Sequence, residues 1–208
     1  MPEIIVPATS ANMGPGFDSL GLAVNLYLKV RISKQSDQWI VHHPFDKRVP
    51  TDEKNMIVLS ALTVDASIQP HEIFVESEIP LARGLGSSSS AIIAGLMLGN
   101  ELSESINLSK QQILDRAVKI EVGGPDPQKK GNFLTYQIDT PDDYLPIAVM
   151  PDRELATSES REVLPTSLDR RKAVRNNAES SLLLAALFKH DWDNVARLLE
   201  SDQFHEVY

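Results

Sequence analysis

The sequence predicts an α+β protein, and three observations predict it. Residues 23–32 alternate, with Val24, Leu26, Leu28, Val30 and Ile32 on one face and Asn25, Tyr27, Lys29 and Arg31 on the other. That is the period of a half-buried strand in an antiparallel sheet. A second alternating run, Ile73 and Val75, leads into a glycine-rich turn, a run of serines and the apolar stretch 92–98, which reads as strand, turn and largely buried helix. Two helical patterns close the chain: the Ala- and Leu-rich stretch 173–188, then a segment carrying Trp192, Val195, Ala196, Leu198 and Leu199 with Asp191 as its cap.

Composition sets the frame for these elements. A chain of 208 residues, 42% of them hydrophobic, can bury a core in one large or two small domains. Twenty basic against twenty-nine acidic residues give a net charge of −9, which argues against general nucleic-acid or anionic-membrane binding. Without cysteine there is neither a disulfide framework nor a Cys-ligated metal site. The N-terminus carries no basic leader with an apolar core, and no apolar run approaches the roughly 20 residues that span a bilayer. The expected location is the cytoplasm.

Taken in order, the chain begins with a short strand at 3–6, ended by Pro7 and the Thr-Ser-Ala-Asn loop. Gly14-Pro15-Gly16 is strong turn punctuation around Asn12 and Asp18. Those two side chains suit a ligand, and equally suit capping a turn and a short helix. Residues 39–41 read as a shorter strand and as the hairpin partner of 23–32. His42 and His43 are adjacent, and neighbours on a strand point to opposite faces, so they read as solvated loop residues rather than as a metal pair. Residues 51–54, followed by Met56, Ile57, Leu59, Leu62 and Val64, have helix start signals and helical apolar spacing. Ser109 and Gln112 form a capping box ahead of Ile113, Leu114, Ala117 and Val118, in a helix ending near Glu121. Residues 133–138 and 145–150 read as strands separated by the turn-rich 139–143.

The organising stretch is Glu78-Ile79-Pro80-Leu81-Ala82-Arg83-Gly84-Leu85-Gly86-Ser87-Ser88-Ser89-Ser90-Ala91. A strand, a glycine turn and a helix start in that order make an anion site, with backbone N–H groups and the positive end of the helix dipole facing one spot. The serine hydroxyls add donors and oxygen ligands for Mg²⁺. The plainer alternative is an N-cap with a flexible lead-in. The stretch lacks the Lys of a P-loop, has Ser89 where a dinucleotide fingerprint needs its third glycine, and has Ser90 where a nucleophile elbow needs glycine.

Pro80-x-x-x-Gly84-Leu85-Gly86-Ser87-Ser88, with Ser89, Ser90 and Ala91, resembles the phosphate loop of the GHMP kinases. The run Val6-Pro7-Ala8-Thr9-Ser10-Ala11-Asn12-Met13-Gly14-Pro15-Gly16-Phe17-Asp18 resembles the N-terminal signature of the homoserine kinases within that superfamily. The resemblance implies a two-domain fold: a ribosomal-protein-like ATP-binding half at 1–130 and an incomplete ferredoxin-like half at 131–208. It implies ATP-dependent phosphorylation of the L-homoserine hydroxyl, with ATP and Mg²⁺ as cofactors. Asn12 and Asp18 would hold the amino acid, Thr157 would lie near the reacting hydroxyl, and Arg161 would pair with the substrate carboxylate. Asn55 would approach the adenine, residues Pro80 to Ser90 would hold the phosphates, and Ser88 with Glu121 would bind the metal.

Relatives of this type carry Gly-His-Pro-Asp-Asn after the Glu. Here Val122-Gly123-Gly124-Pro125-Asp126-Pro127 puts Gly124 and Pro127 where a substrate-lining His and Asn would fall. Full-length relatives also continue past the match to Tyr208, with a second carboxylate-binding Arg and a third Gly-rich motif, so truncation is expected. Homoserine kinases often dimerise, which extends to this chain as an expectation. The competing readings are a GHMP kinase for another small alcohol and a nucleotide-binding fragment without turnover.

Overall fold

The computed structural model describes residues 2–121, 134–139, 147, 167 and 169–203. The elements are β1 (Glu3–Ala11), β2 (Gly21–Gln35), β3 (Ile40–His42), α1 (Met56–Val64), β4 (His71–Ser77), α2 (Ser87–Leu102), α3 (Lys110–Glu121), α4 (Arg170–Lys189) and α5 (Trp192–Leu199). They fall into two compact units. The first comprises Met1–Ala8, Asn25–Pro80 and Gly86–Ile138, and the second Thr9–Val24, Leu81–Leu85 and Asp139–Tyr208. The units interleave in sequence, so compactness alone draws no boundary at residue 130, and a domain division there rests on the sequence.

One mixed sheet in the order β1-β2-β4-β3 organises the first unit. β2 pairs with β4 antiparallel, Val30 opposite Val75 and Ile32 opposite Ile73, with an irregularity at Ser33. The face bearing Ile4, Val6, Val30, Ile32, Val41, Ile73 and Val75 is buried, which is the alternation predicted for 23–32 carried through the sheet. β1 runs five residues past its expected end, through Pro7. Proline is tolerated there because β1 is an edge strand and its missing N–H leaves no ladder bond unmade.

Residues 39–41 are not the hairpin partner of β2. β3 pairs with β4, in parallel, Val41 opposite Ile73. Ser36 N–H bonds Pro70 O at 3.0 Å, so the chain leaves β2 beside the start of β4 and places β3 on its far side. The seven-residue β4 takes the interior position, and the three-residue β3 takes the edge, where short strands expose least unpaired backbone. His42 is exposed as expected but ends β3 rather than lying in a loop, and His43 follows it in a loop, half-buried. The His42 ring stacks on Phe74 with centroids 4.5 Å apart and its Nε2 lies 2.9 Å from Glu72 Oε1, while His43 Nε2 lies 3.2 Å from Val49 O.

α1 starts at Met56 rather than near Thr51, because Asn55 supplies the cap. α2 begins at Ser87, so the serine run is the helix's first turn and not its lead-in. The capping box at α3 is complete: Ser109 N–H donates to Gln112 Oε1 at 2.8 Å and Gln112 N–H to Ser109 Oγ at 3.3 Å. α3 packs on α2 through Ala117, Ile113 and Ile120 against Ile92 and Leu96, with Val64 of α1 in the same cluster. Residues 134–139 are not a strand; Leu134 and Tyr136 are each 88% exposed, so their alternation is not drawn into a core. Of the expected strand 145–150 only Ile147 is described.

Asp65 ties the C-terminal ends of α1 and α2 together. It accepts from Ser103 Oγ at 2.6 Å, Ser67 Oγ at 2.6 Å and Ser67 N–H at 2.9 Å. The Ser103 bond first, then those of Ser67, holds its carboxyl at about 2, below the ordinary 3.8. A depressed folded-state pKa gives stability that is fully present above about pH 4 and is lost as pH falls towards 2. Asp65→Asn is therefore expected to lower the Tm at neutral pH and to flatten the fall of Tm between pH 4 and 2; an unchanged acid limb would show that the latch carries no linkage.

In the second unit α4 and α5 pack together across the two-residue break His190-Asp191, of which His190 takes the left-handed conformation. Asp169 caps α4 and Asp191 caps α5, both by side-chain acceptance of a first-turn N–H. Leu183, Ala186, Val195 and Leu198 are the buried centre of this unit, with Leu20 packed against them.

Candidate functional site

In the first unit the site is the N-terminal end of α2. Gly86 caps the helix at φ 67°, ψ 31°, a conformation that costs an L-residue about 1–2 kcal/mol and glycine almost nothing. The first bond into the helix is Ser90 N–H to Gly86 O at 2.8 Å. The amides of Ser87, Ser88 and Ser89 therefore precede the intrahelical ladder, and with the dipole they form an anion-binding end. Ser90 is buried and its hydroxyl turns back onto Gly86 O, which makes it a structural member of the run. Ser89 Oγ donates to Glu121 Oε1 at 3.1 Å, whereas Ser88 is exposed.

The serine that meets Glu121 is thus Ser89. Its helical phase explains this: Ser89 lies one turn before Ile92 and Ile93, the residues that pack on α3. Had the serines been read as helix, that phase would have singled out Ser89. The carboxylate and hydroxyl are hard oxygen donors of the kind Mg²⁺ takes, and a Mg²⁺ site uses few protein ligands because the ion keeps waters and shares phosphate oxygens. Among the described residues no group of three His, Cys, Asp or Glu forms a metal cluster. The donor set fits an Mg²⁺ carried in with a nucleotide better than a resident ion.

Asn55 is fully engaged by the protein. It is 3% exposed, its Oδ1 accepts from Ile57 N–H at 3.0 Å, and its Nδ2 donates to Pro50 O at 2.7 Å. Its demonstrated work is to fix the start of α1. A shallow cleft of about 440 Å³ in the same unit is lined by Arg31, His42, His43, Phe74, Glu76 and Ser77 among others.

In the second unit Asn12 and Asp18 are brought together. Asp18 N–H donates to Asn12 Oδ1 at 2.9 Å, and Asn12 N–H to Leu20 O at 2.9 Å closes the loop. The Asp18 side chain is left exposed. The phosphate-loop segment Leu81–Leu85 is anchored on β1 by Thr9 N–H to Leu85 O at 3.2 Å, and Arg83 Nη1 is buried without a hydrogen-bond partner. Asn12, Asp18 and Ala82 hold positive φ values of 63°, 52° and 53°. Among the described residues the one other non-glycine case is His190, at a helix end. Strained backbone concentrates where function requires it. Thr157, Arg161, Gly124 and Pro127 lie outside the described residues.

Residues 55–128 match the family model described as the GHMP kinases N terminal domain. Over 220 residues the chain is 45% identical to the homoserine kinase of Streptococcus sanguinis, an alignment covering 99% of this chain and 75% of that protein. The chain belongs to the homoserine kinase family. The homoserine kinase of Lactiplantibacillus plantarum is 42% identical, with 100% of this chain and 75% of the relative covered. A solved structure assigned as homoserine kinase from Listeria monocytogenes has a TM-score of 0.77 at 36% identity, covering 97% of this chain and 73% of that one. The α+β GHMP kinase fold is thereby established, and membership of this kinase family makes ATP the co-substrate. Among the described residues no helix is long and apolar enough to cross a membrane.

Proposed function

We propose that this homoserine kinase family member transfers the terminal phosphoryl group of ATP to the side-chain hydroxyl of L-homoserine, giving O-phospho-L-homoserine for threonine biosynthesis. The observation that carries the reading is the helix end at Gly86, opened for an anion and flanked by the Ser89–Glu121 pair. The N-terminal signature and the family's substrate supply the acceptor. A cytoplasmic location and a homodimer belong to the same proposal, the latter to be checked by light scattering.

Phosphoryl transfer passes through a loose transition state, so alignment of the hydroxyl and neutralisation of oxygen charge carry most of the catalysis. The bond from the homoserine oxygen to the γ-phosphorus forms as the bond to the ADP oxygen breaks, the hydroxyl proton passes late to a phosphoryl oxygen and on to water, and no strong base is obligatory. Residues Pro80 to Ser90 hold the phosphates, the buried Arg83 Nη1 supplying a donor that has no partner among the described residues. Glu121 with Ser88 and Ser89 would hold Mg²⁺, which when bound neutralises phosphate charge. By the family resemblance, Thr157 would serve near the reacting hydroxyl and Arg161 would pair with the carboxylate, a task that suits a guanidinium's planar fork. Asn55 would serve the nucleotide by fixing α1.

Asn12 and Asp18 hold the amino acid. Asp18→Asn is expected to raise the KM for homoserine by about 10-fold or more, the cost of one charge-assisted hydrogen bond, with kcat changed far less. A collapse of kcat at unchanged KM would instead make Asp18 the base. The whole reading is tested by ADP release from Mg-ATP with and without homoserine, with serine, threonine and mevalonate as controls. Homoserine-dependent release supports it. The sequence around Gly124 and Pro127 favours one competitor, a nucleotide-binding chain without turnover; ATP binding with no homoserine-dependent release would establish that competitor.

A further inference from the structure

We infer that Asn176 is a positioning residue for the amino-acid substrate, holding loop 12–20 in the conformation that presents Asn12 and Asp18. This rests on those two residues being the homoserine contacts. The loop's own bonds, Asp18 N–H to Asn12 Oδ1 and Asn12 N–H to Leu20 O, are not its whole support: Asn12 and Asp18 have φ values of 63° and 52°, conformations that a non-glycine residue seldom keeps. It is held from two helices of its own unit. Asn176, on α4, donates from Nδ2 to Pro15 O at 2.9 Å, at a proline that is itself fully buried. Gly14 lies against the end of α5, so close that a Cβ there would meet Leu199 Cα at 2.9 Å and Leu199 O at 3.0 Å. Leu20, at the far end of the loop, packs into the α4–α5 core.

The Asn176 amide is also a poor choice for stability alone. Its Oδ1 is buried with no hydrogen-bond partner among the described residues, a penalty that an apolar side chain of the same shape would avoid. What the amide adds is the N–H to Pro15, at the centre of the loop. Because proline fixes φ, gripping its carbonyl sets the peptide plane that leads into Gly16, Phe17 and Asp18.

The test is calorimetric titration of the full chain with homoserine and, separately, with ATP, for wild type, Asn176→Asp, Asn176→Leu, Asp18→Asn and Leu183→Ala. Asn176→Asp keeps the shape and loses the donor; Asn176→Leu removes both polar ends and guards against the first variant failing to fold. We expect both to weaken homoserine about tenfold while ATP affinity stays within about twofold, the split of a ligand-specific rather than a global effect. Leu183→Ala, which cuts the same core, should lower the Tm without producing that split. Folded Asn176 variants that bind homoserine as wild type does, while Asp18→Asn binds it weakly, overturn the inference alone. Homoserine affinity unmoved in Asp18→Asn as well overturns the substrate reading and this inference with it.

Discussion

Glu121→Gln is expected to lower homoserine-dependent ADP formation by about 10²–10³-fold, the range found when one group that stabilises transition-state charge is removed. The variant is informative because the fold has no need of the charge. Glu121 is an exposed residue at the last turn of α3, and its one described side-chain bond is acceptance from Ser89 Oγ. A glutamine accepts that bond equally well, so the Tm should stay within about 2 °C, as for other surface changes. What disappears is a negative oxygen beside the phosphate end of α2. The Mg²⁺ concentration for half-maximal rate should rise together with the loss of rate. Ser89→Ala removes a neutral donor only and should be the milder change. A Glu121→Gln enzyme retaining more than half of wild-type turnover at unaltered Mg²⁺ demand would reduce Glu121 to a surface partner of Ser89.

Local chemistry was the legible part of this chain. The capping box at Ser109 and Gln112, the cap at Asp191 and the alternation of β2 depend on contacts within a few residues, and such contacts follow from spacing. The pairing of β3 was not legible in the same way. A hairpin is the nearest partner in sequence, but the interior place beside β2 went to β4, whose Ile73 is completely buried. That choice is made by packing across some thirty residues, which no local pattern records. The Asn55 cap was hidden behind Thr51 and Asp52, which carry the same signal but precede a turn; Asn55 N–H bonds Asp52 O at 3.0 Å there.

The candidate site divides along the same line. The glycine and serine positions of the loop and the Asn12–Asp18 pair are readable, because their backbone demands select particular residue types. Which serine meets Glu121, and which helix side chain grips Pro15, depend on helical phase and on residues far apart in the chain. Asn176 sits amid a polar helix sequence where nothing in spacing distinguishes it from Asn177. The same holds for Gly95 and Gly99, which as sequence look only like weak points in a helix.

Gly95→Ala is expected to destabilise the protein, against the direction that helix propensity gives. In an unobstructed helix interior the change stabilises by about 1 kcal/mol. Here a Cβ at Gly95 would lie 2.3 Å from Ile57 O and 2.6 Å from Ser60 Cβ, and one at Gly99, a turn later, 2.5 Å from Ala61 O. The obstacle is α1 backbone, which cannot rotate out of the way as a side-chain tip would. The two helices must separate, and overpacking against backbone costs about 2–3 kcal/mol, the upper part of the usual range, which leaves about 1–2 kcal/mol after the propensity gain. At about 2–4 °C per kcal/mol for a chain of this size, a fall in Tm of about 2–8 °C is expected. Gly95→Val adds bulk without the propensity gain and should fall further. The displacement reaches function because α2 carries Ser87, Ser88 and Ser89 at its open end and reaches Glu121 through Ser89. ATP affinity should therefore weaken along with stability, and a saturating nucleotide should restore part of the lost Tm by mass action. A raised Tm for Gly95→Ala would mean that propensity wins and that the α1–α2 approach is looser than 2.3 Å implies.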